Sequence, residues 1–266
     1  MIDTHCHIVY GIDDGSSCAE ESLEMARIAV ASGITDIIAT PHSIPGMFEN
    51  YAGRAYDEAF ERLNDLLRSD PMTARLRIHK GMEAFADPET IERFDSGMMH
   101  CMGNSDYLLI ECDFGEDPWF LREVIKQLQR RNVRVIIAHP ERYYFAHDNI
   151  RYLFDLTEMG CIMQLDTESI TGSFGSDCRE AAMILLDAGI AQLAGSDAHD
   201  ADERTPDMRQ AADIVANRFS LDYARLIFDE NPARMLRNES LLFRRRSSSR
   251  GSRDGRFMSD DEYWGE

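Results

Sequence analysis

Seven short apolar runs punctuate the chain: MIDTHCH, TDIIATPH, LRIHKGME, YLLIECD, VRVIIAHPER, CIMQLD and QLAGSDAH. All but CIMQLD lead into side chains suited to a metal ion, which sets His5, His7, Asp14, His42, Glu83, Glu111, His139, Asp197 and His199 at or just beyond the ends of buried segments. A buried strand that finishes in a ligand, repeated along a chain, is how a barrel gathers a metal site at one mouth. One such run carries little weight; six of them point to a metal cluster.

Segments of helical period separate the runs. Glu20 to Ser32, Tyr56 to Arg68, Trp119 to Arg131, Ile150 to Met159, Cys178 to Ala188 and Met208 to Asn217 place apolar residues three and four apart. Gly33, Gly160 and Gly189 each follow a helix and precede a strand, as left-handed C-caps do. Strict alternation of strand and helix implies parallel pairing with right-handed crossovers. The expected fold is therefore α/β, a distorted TIM-like (β/α)7 barrel, with a doubly wound open sheet as second choice. Residues 1–243 form the expected barrel domain. Residues 244–266, rich in Ser and Arg and then acidic, hold too few aliphatic residues to build a core and are expected to be a disordered tail.

Bulk properties narrow the function. A formal net charge of −20 over 266 residues argues against a nucleic-acid partner. It also repels anionic substrates, so phosphate chemistry needs local cations. No apolar stretch is long enough for a membrane span, and the N-terminus lacks the charged and apolar regions of a signal peptide. The six cysteines show no CxxC spacing and suit a reducing cytoplasm. Cys6 lies between His5 and His7, but strand alternation turns it to the opposite face, where it packs.

The chemistry resides in the constellation. His5 and His7, two apart on a strand, face one side and can share an ion. Asp197 and His199 mirror that pair near the other end of the chain. Asp14 has a neighbour, Asp13, that could replace it or cap the following helix. Glu83 and Glu111 close apolar runs, where an unpaired charge costs several kcal/mol, so each needs a cation. His79, His100 and His147 lie outside the set and read as structural. Mixed imidazole and carboxylate ligands suit Mn²⁺, Fe²⁺ or Zn²⁺. Four carboxylates against three divalent ions leave a positive excess that attracts a phosphate dianion. A water shared by two such ions ionises near pH ~7 and becomes an in-line nucleophile. Arg142 and Arg204 can hold phosphoryl oxygens. Metal-assisted phosphoester hydrolysis is the reading that results.

DTHCH, GIDDGS, ATPH, the Gly81–Glu83 element, LLIE, AHPERY, ITGSFG and GSDAHD occur in the order of the PHP (polymerase and histidinol phosphatase) superfamily. GIDDG with HPERY resembles its bacterial protein-tyrosine phosphatase branch, associated with capsule and exopolysaccharide synthesis. The resemblance covers about residues 1 to 240 and implies three metal ions, most simply Mn²⁺, at a barrel mouth. By motif, His5, His7, Glu83 and Asp197 would hold the first. Glu83, Glu111 and His139 would hold the second, and Asp14, His42 and His199 the third. It further implies that Arg142 and Arg204 place the phosphate and that the partner is a bacterial tyrosine kinase. A cysteine phosphatase is excluded, because no cysteine has an arginine six residues later. Histidinol-phosphate phosphatase and an inactive scaffold are the remaining alternatives.

Overall fold

The computed structural model describes residues 1–244 and 257–259. From the N-terminus, β1 (Ile2–Cys6) leads through α1 (Ala19–Ala31) to β2 (Asp36–Ala39), β3 (His42–Ile44) and β4 (Phe48–Glu49). Next come α2 (Arg54–Ser69), β5 (Arg77–Lys80), β6 (Glu83–Phe85), α3 (Thr90–Asp95), β7 (Tyr107–Glu111) and α4 (Pro118–Gln129). After β8 (Arg134–Ala138) follow a 3-10 turn (Pro140–Arg142), α5 (Tyr144–Asp148), α6 (Arg151–Glu158), β9 (Ile162–Asp166) and α7 (Thr167–Thr171). The series ends with α8 (Ser176–Ala188), β10 (Ala191–Gly195), α9 (Arg209–Arg218), α10 (Leu221–Arg225), a π turn (Leu226–Glu230), α11 (Asn231–Leu236) and β11 (Leu242–Arg244).

The parallel segments stand in the order β10, β9, β8, β7, then β6 beside β3, with β5 beside β2 and then β1 continuing the wall. Two of the expected strands are each interrupted once. Pro41, which has no N–H to give, separates β2 from β3. Gly81 breaks β5 from β6 where a Cβ would stand 2.7 Å from Cγ2 of Ile38. The seam between β1 and β10 is no continuous ladder. It is bridged where the Asp197 N–H donates to His5 O at 2.8 Å and the His7 N–H donates to Ala198 O at 2.9 Å. The result is a distorted (β/α)7 barrel, as the alternating pattern indicates.

Alternation along the strands divides the core. Leu108 and Ile110 of β7, Val135 and Ile137 of β8, and Met163 and Leu165 of β9 point outward into the layer beneath the helices. Tyr107, Leu109, Ile136 and Ile162 point inward and, with Met235 and Leu241, plug the N-terminal half of the barrel. Toward the C-terminal end the same inward faces turn polar, passing to Glu111 on β7 and to Gln164 and Asp166 on β9, all buried. The helices lie close to their expected bounds, and Gly33, Gly160 and Gly189 all take positive φ. The α3 and α7 helices and the β3–β4 hairpin have too few residues to show a period. Of the expected tail, 245–256 and 260–266 lie outside the described residues. Residues 257–259 form a short strand whose backbone pairs antiparallel with β11.

Candidate active site

The functional side chains gather at the C-terminal mouth: His5, His42, Glu83 and Glu111 lie within β1, β3, β6 and β7, and His7, His139, Asp197 and His199 lie just beyond the exits of β1, β8 and β10. Two of these exits carry unusual backbone: His139 has φ 33 and Asp197 has φ 50. Left-handed backbone at residues other than glycine is costly and gathers at functional sites, because only a firm surrounding scaffold maintains it.

Four donor atoms converge beneath the mouth. His5 Nε2 lies 3.2 Å from Glu83 Oε2 and 3.4 Å from Asp197 Oδ1. His7 Nε2 lies 3.4 and 3.3 Å from the same two atoms, and 3.2 Å from His5 Nε2. These five separations are those between neighbouring ligands of a first-row divalent ion, whose bonds to nitrogen or oxygen are about 2.0–2.2 Å long, and all four atoms lie within 4.8 Å of one another. Glu83 is fully buried, and its Oε2 makes no well-aligned hydrogen bond within the protein, though His42 Nδ1 stands 2.9 Å away. An orphaned carboxylate oxygen facing imidazole nitrogens is the arrangement a cation completes.

The outer nitrogens of the imidazoles show which face is free for a metal. His5 Nδ1 donates to Gln164 Oε1 at 2.9 Å, and Gln164 is itself fixed by donating to Thr4. His7 Nδ1 donates to Asp13 Oδ2 at 2.8 Å, and His199 Nδ1 donates to the carbonyl of Asp197 at 2.8 Å. In the neutral form of all three the proton sits on Nδ1, which leaves the Nε2 lone pair for the centre. The choice between Asp13 and Asp14 is thereby resolved in space. The Asp13 side chain is shielded from solvent and orients His7. Asp14, with 55% of its side chain exposed, faces His42 Nε2 at 3.5 Å and His199 Nε2 at 3.7 Å.

All nine expected residues meet at this mouth, in groups that differ in part from the expected sets. His5, His7, Glu83 and Asp197 stand together, and His7 adds itself to Asp14, His42 and His199. The third group pairs Glu83 and Glu111 with His42, whose Nδ1 lies 2.9 Å from Glu83 and 2.8 Å from Glu111. His139 instead sets its Nε2 2.8 Å from the other oxygen of Glu83 and 3.9 Å from Glu111. His139 follows β8 directly, in left-handed backbone. His79, paired with Asp36, and His147, bound to the Glu141 carbonyl, stay apart from the cluster, as does His100 against Tyr56.

The electrostatics follow from this crowding. Burial pushes the Glu83 carboxyl up, but the imidazoles of His5 and His42 outweigh it and hold the group well below the usual range. Burial opposes a proton on His42, yet Glu83 and Glu111 prevail and lift it to about 10. His199 is driven down to about 3 by burial and by the neighbouring His7. Without a metal, protons on selected imidazoles therefore offset the carboxylates.

The arginines stand on the other side of Asp197. Arg142 Nη1 and Arg204 Nη2 reach its Oδ2 at 2.8 and 2.5 Å, while its Oδ1 faces His5 and His7. Phe114 and Phe174 cover Arg142, with ring centroids 4.8 and 4.3 Å from its guanidinium carbon. Sequence reasoning missed Gln164, Asp166 and both phenylalanines. A signal for the first two existed. In CIMQLD, polar residues two apart inside a buried strand must share an inward face.

A family model described as "Capsular polysaccharide synthesis, CpsB/CapC" matches residues 1–237. The tyrosine-protein phosphatase YwqE of Bacillus subtilis is 31% identical over 242 residues, covering 91% of this chain and 94% of its own. The tyrosine-protein phosphatase CpsB of Streptococcus pneumoniae is 27% identical over 244 residues, covering 90% and 99%. A crystal structure from work on these two proteins, described there as metal-dependent tyrosine phosphatases, superposes with a TM-score of 0.86 at 31% identity, covering 91% of this chain and 97% of its own. The phosphotriesterase homology protein of Escherichia coli shares the fold, with a TM-score of 0.60 at 13% identity over 88% of this chain and 98% of its own.

Proposed function

The chain belongs to the CpsB/CapC family, and from that membership we propose that it is a metal-dependent protein-tyrosine phosphatase. Its substrate is the phosphotyrosine of a bacterial tyrosine kinase that governs capsule or exopolysaccharide synthesis. The observation that carries the reading is Asp197, whose two oxygens face a four-donor metal-sized hollow on one side and two guanidinium groups on the other. A phosphoryl group placed at that junction meets cations from both directions.

Nine side chains are assigned to three divalent ions, Mn²⁺ first among them: His5, His7, Asp14, His42, Glu83, Glu111, His139, Asp197 and His199. When bound, such ions neutralise phosphoryl charge and lower the pKa of water. The chain supplies the rest. Arg142 and Arg204 can transfer hydrogen bonds from Asp197 to non-bridging phosphoryl oxygens, a geometry for which the planar guanidinium is suited. Gln164 and Asp13 keep His5 and His7 in the tautomer that leaves Nε2 free. Phenolate leaves readily near neutral pH, so the reaction does not call for a strong general acid. Among the described residues no helix is long and apolar enough to cross a membrane. We assign the protein to the cytoplasm, where its free cysteines would stay reduced.

The test compares phosphate release from a phosphotyrosine peptide and from histidinol phosphate, with Mn²⁺ and with EDTA. Preference for the peptide, abolished by EDTA, is the expected result. Preference for histidinol phosphate would move the protein to small-molecule metabolism, and release from neither substrate would overturn the enzymatic reading.

A further inference from the structure

Arg142 and Arg204 reach the same oxygen from different places in the fold. Arg142 follows β8 on the 3-10 turn, and Arg204 lies in the loop after β10. Two guanidinium groups on one carboxylate oxygen repel each other. Their remaining surroundings must therefore offset that repulsion and keep the forks apart. The strand between β8 and β10 is β9, which contributes none of the nine proposed ligands. The chain leaving β9 forms α7 and then turns through Gly172 and Gly175, with φ of 99 and 95, before α8 begins. This turn places Phe174 beside both arginines. Its ring centroid is 4.3 Å from the guanidinium carbon of Arg142 and 5.5 Å from that of Arg204.

The backbone of Arg204 is fixed against Asp200 and His199, but little else holds its guanidinium. Its Nη2 bonds the carbonyl and side chain of Asp197, while its Nε is buried with no hydrogen-bond partner. Arg142 is better supported, with Phe114 on a second ring contact and Asp166 Oδ2 at 3.6 Å. An aromatic face attracts cations through its quadrupole without taking up their N–H donors. Those donors stay available to an incoming anion, whereas a carboxylate in the same place would consume them.

We propose that Phe174 is a positioning residue, holding Arg142 and Arg204 as one phosphate-binding pair through its ring. The proposal rests on the phosphatase reading above and names a determinant of the same site. The ligandless strand β9 then has a function: its exit loop carries the residue that keeps the arginines from its two neighbours in register.

The experiment uses the full-length Mn²⁺ holoenzyme with Phe174→Leu and Phe174→Tyr. Leucine keeps apolar bulk without a π-face, and tyrosine keeps the face; Phe174 is half-buried, so either can be accommodated. Binding of inorganic phosphate is measured by calorimetry, KM and kcat with phenyl phosphate, and metal content by elemental analysis. Phe174→Leu should bind phosphate about tenfold more weakly and raise KM by a similar factor. It should change kcat less and keep its metal, while Phe174→Tyr should stay close to wild type. Wild-type affinity in Phe174→Leu would overturn the proposal, because bulk would then suffice. An equal loss in both variants, or no phosphate binding by the wild-type holoenzyme, would overturn it as well. Calorimetry needs no turnover. A wild-type protein that binds phosphate but hydrolyses nothing sinks the phosphatase reading, and the leucine–tyrosine comparison still decides the role of Phe174.

Discussion

The side chain of Asp13 is fully covered against His7, while Asp14, next in the chain, keeps 55% of its side chain in solvent. Asp13 accepts from His7 Nδ1 and from the backbone N–H groups of Gly15 and His42, so removing it releases an imidazole and a turn together. Outer partners of this kind are worth about 10- to 100-fold in metal affinity. Asp13→Ala should weaken Mn²⁺ binding by that order, measured by competition with a chelating dye. Unchanged affinity would show that His7 orients itself. Glu83 faces His5, His7, His42 and His139. Glu83→Gln should therefore cost more activity than replacing either arginine, and it should also lower the metal content. Greater activity in Glu83→Gln than in Arg142→Ala would remove Glu83 from the centre of the site.

Asp3, on the same strand, titrates in the opposite sense to most carboxylates. Burial raises it to about 6, in spite of hydrogen bonds from Ser196 and the backbone of His5. In the unfolded chain an aspartate titrates near about 3.9. Between these values the folded state holds a proton that the unfolded state has lost. The Asp3 contribution is thus fully favourable below pH ~4 and is lost as pH rises through ~6, by about 3 kcal/mol in all. Asp3→Asn should stabilise the metal-free protein at pH 7 and flatten its stability profile between pH 4 and 6. Urea unfolding in EDTA is the check, and a profile identical to wild type would refute the assignment.

At the scale of elements, the seam between β1 and β10 fixes the distance between the first and last ligand pairs. A Cβ on Gly195 would stand 2.4 Å from the Cβ of His5, far inside any real contact. Gly195→Ala must push the two strands apart, with an overpacking cost of about 1–3 kcal/mol. It should lower both the unfolding midpoint and the Mn²⁺ affinity. Loss of stability with wild-type metal affinity would mean that the seam supports the barrel but leaves the ligands in place.

For the whole molecule, metal and protons compete for one buried negative cluster. The metal-free site places a proton on His42, whose pKa is lifted to about 10 by Glu83 and Glu111 against the opposing effect of burial. Metal binding must expel that proton, so affinity should fall as pH falls. Calorimetry in buffers of different ionisation enthalpy should detect proton release; its absence would show the site already deprotonated. β11 belongs to the opposite end of the barrel. β11 ends at Arg244, which lies against Gly189 just before β10 begins, far along the strand from the mouth. Truncation after Arg244 should leave turnover of a small aryl phosphate unchanged, and a large loss would place the tail at the active site.

Period and position in the sequence were enough to show the seven wall segments, the main helices and the nine residues at the mouth, but neither the breaks at Pro41 and Gly81 nor the short strands β4 and β11. Alternation and helical spacing are properties of the local backbone, and a ligand after a buried run has few other uses. What depends on ring closure was not legible. Whether Asp13 or Asp14 turns inward, and whether His42 or His139 joins Glu83 and Glu111, is set by distances across the barrel between segments far apart in the chain. The stacking of one phenylalanine from β9's exit loop beside arginines from two other exits is of the same kind. The sequence by itself determined that nine candidate ligands would reach the mouth, because strand geometry is local; only the tertiary structure decided which other side chains join them and which atoms share a charge, because electrostatic partnership depends on through-space distances of a few ångströms.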